Sequence, residues 1–191
     1  MNQFNNNRYQ NKRHRAYWWN YGWNGSYYIT ICAHKRQKFF GQIIRKPDER
    51  DNLIQVMELS ETGKKIQERW MDIPEHFPFV SLGEFVVMPD HLHGILSFNK
   101  GEEFNKPLYR ERQTEIFYGY NNWKSGILGN VVNQFKRICT IQSRVYEPEF
   151  KWQRGYYDRI IRNQLEFNIF TDYIAQNPSR YKMEEKEIGS I

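Results

Sequence analysis

The stretch FVVMPDHLHGILSF, residues 85–98, decides how this chain is read. Its Val, Ile, Leu and Phe content is that of a buried β-strand, yet Asp90, His91 and His93 interrupt it. On a strand, residues i and i+2 project to one face. His91 and His93 therefore stand side by side, with Leu92 on the opposite face. Two imidazoles converging from one rigid strand form half of a divalent-metal site. Asp90 points away from them unless the backbone kinks after Pro89, so it is a candidate for positioning a histidine. An H-x-H pattern alone reads equally well as two hydrogen-bonded strand histidines. A metal site needs a further donor from elsewhere.

Outward from this strand, the pattern alternates between strands and helices. SYYITICA (26–33) is β-rich and partly alternating, which predicts a first strand. KFFGQII and LIQVMELS flank the turn-like RKPDERDN, which predicts a small inserted hairpin. Ser60 is placed to cap a helix in which Ile66, Trp70 and Ile73 recur at helical spacing until Pro74 stops it. VSLGEFVVMP and HGILSF read as a strand pair broken near Pro89, and a polar loop without periodicity covers about residues 99–124. GILGNVVNQFKRICTIQSRVY predicts an amphipathic helix with Ile127, Val131, Phe135, Ile138 and Ile141 or Val145 as its apolar stripe. Residues 152–162 read as a strand, and 164–178 as a helix ended by Pro178.

The order without arm and hairpin is β-α-β-β-α-β plus a C-terminal helix. That predicts an α+β, ferredoxin-like fold: one antiparallel sheet with two helices on one face. At 191 residues the chain fits one domain, over 26–178, with an arm over 1–25 and a tail over 179–191. Such a fold hosts many chemistries and does not choose among them.

Composition narrows the partners. Lys plus Arg number 28 against 22 Asp plus Glu, and aromatics make up 17% of the chain. Positive charge with many flat side chains suits a polyanion whose bases stack, such as single-stranded nucleic acid; a soluble basic protein with an aromatic core is the alternative. In the arm, Arg8, Lys12, Arg13 and Arg15 run into Tyr17, Trp18 and Trp19, which suits phosphate contacts beside base stacking. A solvated tail whose aromatics pack on the domain fits as well. Cys32 and Cys139 are too few and too far apart for a disulfide framework. With neither a signal peptide nor a run near the roughly 18 apolar residues of a membrane span, the expectation is a cytoplasmic protein.

The further donor lies in DYIAQNP. Tyr173 and Asn177 are four residues apart, one turn along a helix. An Asn oxygen can complete a His-His-oxygen site, and a tyrosine one turn away can attack a phosphorus held there. A packed Tyr and an Asn capping the helix before proline is the other reading.

Taken together, GSYYITICAHKRQKFFG, LSETGKKIQERW, VVMPDHLHGIL, LGNVVNQFKR and WQRGYYDRIIRNQLEFNIFTDYIAQNP resemble, in order and spacing, the small single-tyrosine HUH (IS200-like) transposases. Within these the chain is most similar to the REP-associated tyrosine transposases. The resemblance implies a DNA transposase acting as a single-strand endonuclease and strand transferase. It implies that His91, His93 and Asn177 bind Mg²⁺ or Mn²⁺. Tyr173 would be the nucleophile, leaving a 5′-phosphotyrosine and a free 3′-OH on single-stranded or hairpin DNA. The acting species would be a monomer or a homodimer.

Lys136, Arg137 and Arg154 are further candidates for phosphate contact, although Lys136 and Arg137 are by default residues of a charged helix face. Tyr156 and Tyr157 lack a metal-type partner at helical spacing and are expected in packing or DNA contact. Two other functions stay open at this point. One is a metal-dependent hydrolase without a covalent intermediate; the other is a non-catalytic single-strand-binding module.

Overall fold

The computed structural model describes residue 19, residues 21–101 and residues 127–182. The basic arm residues Arg8, Lys12, Arg13 and Arg15, and most of the 99–124 loop, lie outside the described residues. Strand β1 (Gly25–Cys32) is followed by a hairpin of β2 (Gly41–Pro47) and β3 (Leu53–Leu59), then helices α1 (Glu61–Met71) and α2 (Ile73–His76). Strands β4 (Val80–Met88) and β5 (His91–Phe98) precede helix α3 (Ile127–Ser143). Strand β6 (Tyr157–Ile161) and helices α4 (Gln164–Ala175) and α5 (Asn177–Arg180) complete the described chain.

The main sheet has the order β4-β5-β1-β6, and every neighbouring pair is antiparallel. This is the expected ferredoxin-like α+β arrangement, and β2 and β3 form the separate two-stranded hairpin. Alternation divides the side chains of β1 cleanly. Tyr27, Ile29 and Ile31 join a large core with Ile66 and Trp70 of α1 and Val131 and Phe135 of α3. Tyr28 goes to the opposite face, into a smaller cluster with Ile95, Ile161 and Ile174, against which Val86, Phe167 and Phe170 pack. Helix α4 thus covers the face that α1 and α3 leave free. A register shift in β4 between Leu82 and Phe85 keeps Leu82, Phe85 and Val87 on the large core, where strict alternation would turn the last two away. Gly94 of β5 lets the Trp70 indole lie on the strand: a Cβ there would stand 2.4 Å from Trp70 Cζ2.

Ser60 caps α1 as expected, its hydroxyl accepting from Gly63 N at 3.1 Å. Four features differ from the sequence reading. Helix α1 ends at Met71, and Pro74 sits in the first turn of α2, where a missing N–H costs nothing. On α3 the buried face takes in Leu128, Val132, Cys139 and Ser143, while Ile141, and Val145 past the helix end, are exposed. A straight helix drifts about 20° per heptad, so Ile141, two heptads beyond Ile127, has rotated out of the core. The expected strand over 152–162 narrows to β6, because Gly155 takes a positive φ of 78°; Trp152 keeps only an isolated bridge to Ala33. The single helix expected over 164–178 is two. Proline clashes with the carbonyl four residues back, so α4 stops at Ala175 and Pro178 serves in the first turn of α5.

Trp19 and Tyr21, at the end of the arm, pack on the core, and Trp19 Nε1 donates to the Tyr27 hydroxyl at 3.0 Å. Ser179 and Arg180, read as the start of a tail, belong to α5. Among the described residues no helix is long and apolar enough to cross a membrane.

Candidate functional site

The β4–β5 turn is tied down from both sides. Phe40 N donates to Pro89 O at 2.9 Å, and Ala33 N donates to Asp90 O at 2.8 Å. On this fixed turn Asp90 swings back over the strand it precedes, and its Oδ1 lies 2.6 Å from His91 Nδ1. The other carboxylate oxygen takes Arg36 Nε at 2.7 Å. From this turn Asp90 reaches His91 as a positioning residue would. A proton on Nδ1 facing the carboxylate would leave the Nε2 lone pair of His91 for a cation.

His93 is held in the same way by hydroxyls. Its Nδ1 lies 2.7 Å from the Tyr28 hydroxyl and 2.8 Å from Thr30 Oγ1. The β1–β5 register explains this, since Thr30 pairs with His93 and Tyr28 with Ile95. The two Nε2 atoms then converge to 3.0 Å. Two imidazole nitrogens each about 2.1 Å from one cation stand close to that distance apart. Asp90, His91 and His93 are all buried. Burial, with the positive charge that His91 and Arg36 can bring and against a smaller opposing effect of Asp90, pushes the pKa of His93 down to about 3. Near neutral pH it is thus an uncharged imidazole with a lone pair to give.

The donor set therefore fits a divalent cation at two positions, His91 and His93. Among the described residues no group of three or more His, Cys, Asp or Glu is placed to hold a metal. Any further donor must come from another class, such as the Asn177 amide oxygen, water or substrate. Asn177 lies after the break at Gln176, where its Nδ2 donates to Tyr173 O at 3.2 Å. It ties the end of α4 to the start of α5.

Tyr173 reaches the histidines through the packing of α4. Phe170 stacks on Tyr28 at 4.6 Å and 17°, and Ile174 is fully buried against the sheet. One residue before Ile174, the Tyr173 ring meets His93 edge-on, with centroids 5.5 Å apart. It remains 42% exposed, so a substrate can approach it from solvent. Tyr28 completes the cluster, stacked on His93 at 5.5 Å and edge-on to Tyr173 at 6.2 Å. Burial, above all, raises the pKa of the Tyr28 hydroxyl, which stays protonated as a hydrogen-bonding partner.

The structure brings His91, His93 and Tyr173 together. Lys136 is turned inward instead: its ammonium donates to Gln153 O at 2.8 Å and Gly155 O at 2.9 Å, and burial lowers its pKa to about 8. Arg137 and Arg154 are exposed. Tyr28, Thr30 and Arg36 were not singled out by sequence reasoning. The alternation of SYYITIC puts Tyr28 and Thr30 on one strand face, but only the pairing of β1 with β5 shows that the face carries the histidines.

No protein-family model matches the chain. Two solved structures are similar over most of its length. A REP-associated tyrosine transposase bound to a REP hairpin has a TM-score of 0.47 and 16% identity, covering 86% of this chain and 71% of that one. A putative transposase from Deinococcus radiodurans has a TM-score of 0.43 and 12% identity, covering 83% and 95% respectively. In sequence, an uncharacterized protein of Haemophilus influenzae is 34% identical over 171 residues, covering 87% of each chain. At that identity and coverage the chain belongs to the same family as the Haemophilus influenzae protein.

Proposed function

We propose that the chain is a single-tyrosine HUH transposase of the REP-associated type, a metal-assisted single-strand DNA endonuclease and strand transferase acting on hairpin DNA. One arrangement carries the reading. The paired Nε2 atoms of His91 and His93 converge to 3.0 Å, and the Tyr173 ring stands 5.5 Å from His93 on a helix docked to the same sheet face.

His91 and His93 would hold Mg²⁺ or Mn²⁺, with the Asn177 amide oxygen as a further donor. Bound there, the ion supplies Lewis-acid polarisation of a phosphate oxygen. The phenol oxygen of Tyr173 attacks the phosphorus and loses its proton to solvent. The P–O3′ bond breaks, the 3′ oxygen takes up a proton, and the 5′ side stays on Tyr173 as a phosphodiester. Attack of a 3′-OH on that phosphotyrosine reverses the step and joins strands. One phosphodiester replaces another, so no nucleoside triphosphate is consumed. Asp90 and Arg36 hold His91, while Tyr28 and Thr30 hold His93, so the donors are oriented before substrate arrives.

A labelled DNA hairpin with a single-stranded flank, incubated with Mn²⁺, is expected to give a denaturant-resistant protein–DNA adduct. Tyr173→Phe is expected to abolish it. An adduct that survives this substitution removes Tyr173 as nucleophile. Cleavage with turnover, no adduct and tolerance of Tyr173→Phe would instead establish the hydrolase.

A further inference from the structure

A second exposed tyrosine, Tyr157, meets the same Tyr28 ring that Tyr173 meets. Among the described residues, strand β6 is the last in the sheet and pairs with β1 alone, so it forms an edge there. Tyr157, its first residue, pairs with Thr30, whose hydroxyl contacts His93. Residues directly opposite on antiparallel strands project to the same face, so Tyr157 shares the face of the histidines. Its ring is 58% exposed and meets Tyr28 edge-on at 6.4 Å.

Arg159 projects from the same face two residues on. Its guanidinium lies over the Phe170 ring at 5.6 Å, which fixes the side chain while leaving it 50% exposed. The carboxylate facing it, Glu166, is 3.9 Å away and already engaged by Arg162 through two guanidinium nitrogens and a backbone N–H. Arg159 is thus held in place with its positive charge largely unspent. A flat ring and a fixed cation on the sheet face that carries the histidines match one unpaired nucleotide: a base to stack and a phosphate to neutralise.

We infer that Tyr157 and Arg159 form a subsite for a single-stranded nucleotide flanking the scissile phosphate. The Tyr157 ring stacks the base, and Arg159 contacts the adjoining phosphate. This rests on the DNA-processing reading above, but its binding measurements do not depend on cleavage.

Binding of a fluorescein-labelled oligothymidine is measured by anisotropy in Tyr173→Phe protein with chelator present. Tyr157→Ala is expected to weaken binding about tenfold, within what one stacking aromatic contributes, with the melting temperature unchanged. Tyr157→Phe is expected to bind like the parent, because stacking needs the ring and not the hydroxyl. Arg159→Gln is expected to reduce the slope of log affinity against log salt by about one. Tyr157→Ala binding as tightly as the parent overturns the subsite. So does Tyr157→Phe losing the adduct in the Tyr173 background, since that moves Tyr157 into the chemistry. A protein that binds the oligonucleotide through Tyr157 yet never forms an adduct sinks the transposase reading and leaves the subsite standing.

Discussion

The two faces of the sheet are built from the same strands and follow opposite rules. Toward α1 and α3, strands β1 and β5 present Tyr27, Ile29, Ile31, Leu92 and Leu96, closed by Trp70 with no exposed surface. Toward α4 the same strands present Tyr28, Thr30, His91 and His93, under a helix whose Tyr173 is 42% exposed. The first face is built mostly of apolar side chains packed against one another, so its contribution is burial. The second keeps polar groups and partners each one, which makes it a place for chemistry and a poor source of stability. Alternation with period two is what lets one strand serve both.

The largest effect that can break this division is on the core face. Trp70→Ala removes a fully buried indole that touches Phe85 and Phe135 and rests on Gly94. The expected loss is about 4 kcal/mol of stability, read from the denaturant midpoint. Below its lowered melting transition the variant should still form the DNA adduct, because Trp70 packs in the large core on the sheet face away from Tyr28 and the histidines. Loss of adduct in protein shown to be folded would mean that the two faces are not independent.

A smaller effect separates the faces by pH. The pKa of His93 is about 3 in the folded chain, against an ordinary value near 6.5 in the unfolded one. Between those values the unfolded state binds more protons, so stability rises with pH. The contribution is complete above about pH 6.5 and is lost progressively as pH falls toward 3. At pH 5 the cost is roughly 2 kcal/mol, from 1.36 kcal/mol per pH unit below the unfolded value. Melting temperatures in chelator between pH 7 and pH 5 should fall for the parent and fall less for His93→Gln. Equal slopes would show that His93 is not the group disfavouring acid.

Core and site were not equally legible in the sequence. The histidine pair could be read because strand alternation is local: His91 and His93 share a face whatever the strand pairs with. The Ser60 cap and the β2–β3 hairpin were legible for the same reason, being set by neighbours in the chain. What could not be read depends on register between distant segments. Thr30 meets His93 only because β1 and β5 pair at that offset, and Arg36 meets Asp90 only because the β4–β5 turn is pinned to residues 33 and 40. The two prolines do more than the sequence reading assigns them. Pro74 and Pro178 follow the ends of α1 and α4, as expected of stops, and each also opens a short helix, since the property that breaks one helix suits the first turn of the next.

Tyr28 joins the two halves of the site, and its substitution has the smallest and most discriminating effect. Its hydroxyl holds His93 Nδ1 at 2.7 Å, while its ring stacks on Phe170 of the helix that carries Tyr173. Tyr28→Phe removes the first contact and keeps the second. Thr30 Oγ1, at 2.8 Å from the same nitrogen, can still fix the tautomer. Removing an outer partner of a metal-binding histidine commonly costs about 10–100-fold in affinity. With Thr30 in reserve, Tyr28→Phe is expected to weaken Mn²⁺ binding less than tenfold by calorimetry. The double variant Tyr28→Phe with Thr30→Val should show the whole range, a loss greater than the sum of the single effects in free energy. If the two losses simply add, the hydroxyls act separately and neither backs up the other. If Tyr28→Phe alone matches the double variant, Thr30 contributes nothing and the tautomer depends on the tyrosine.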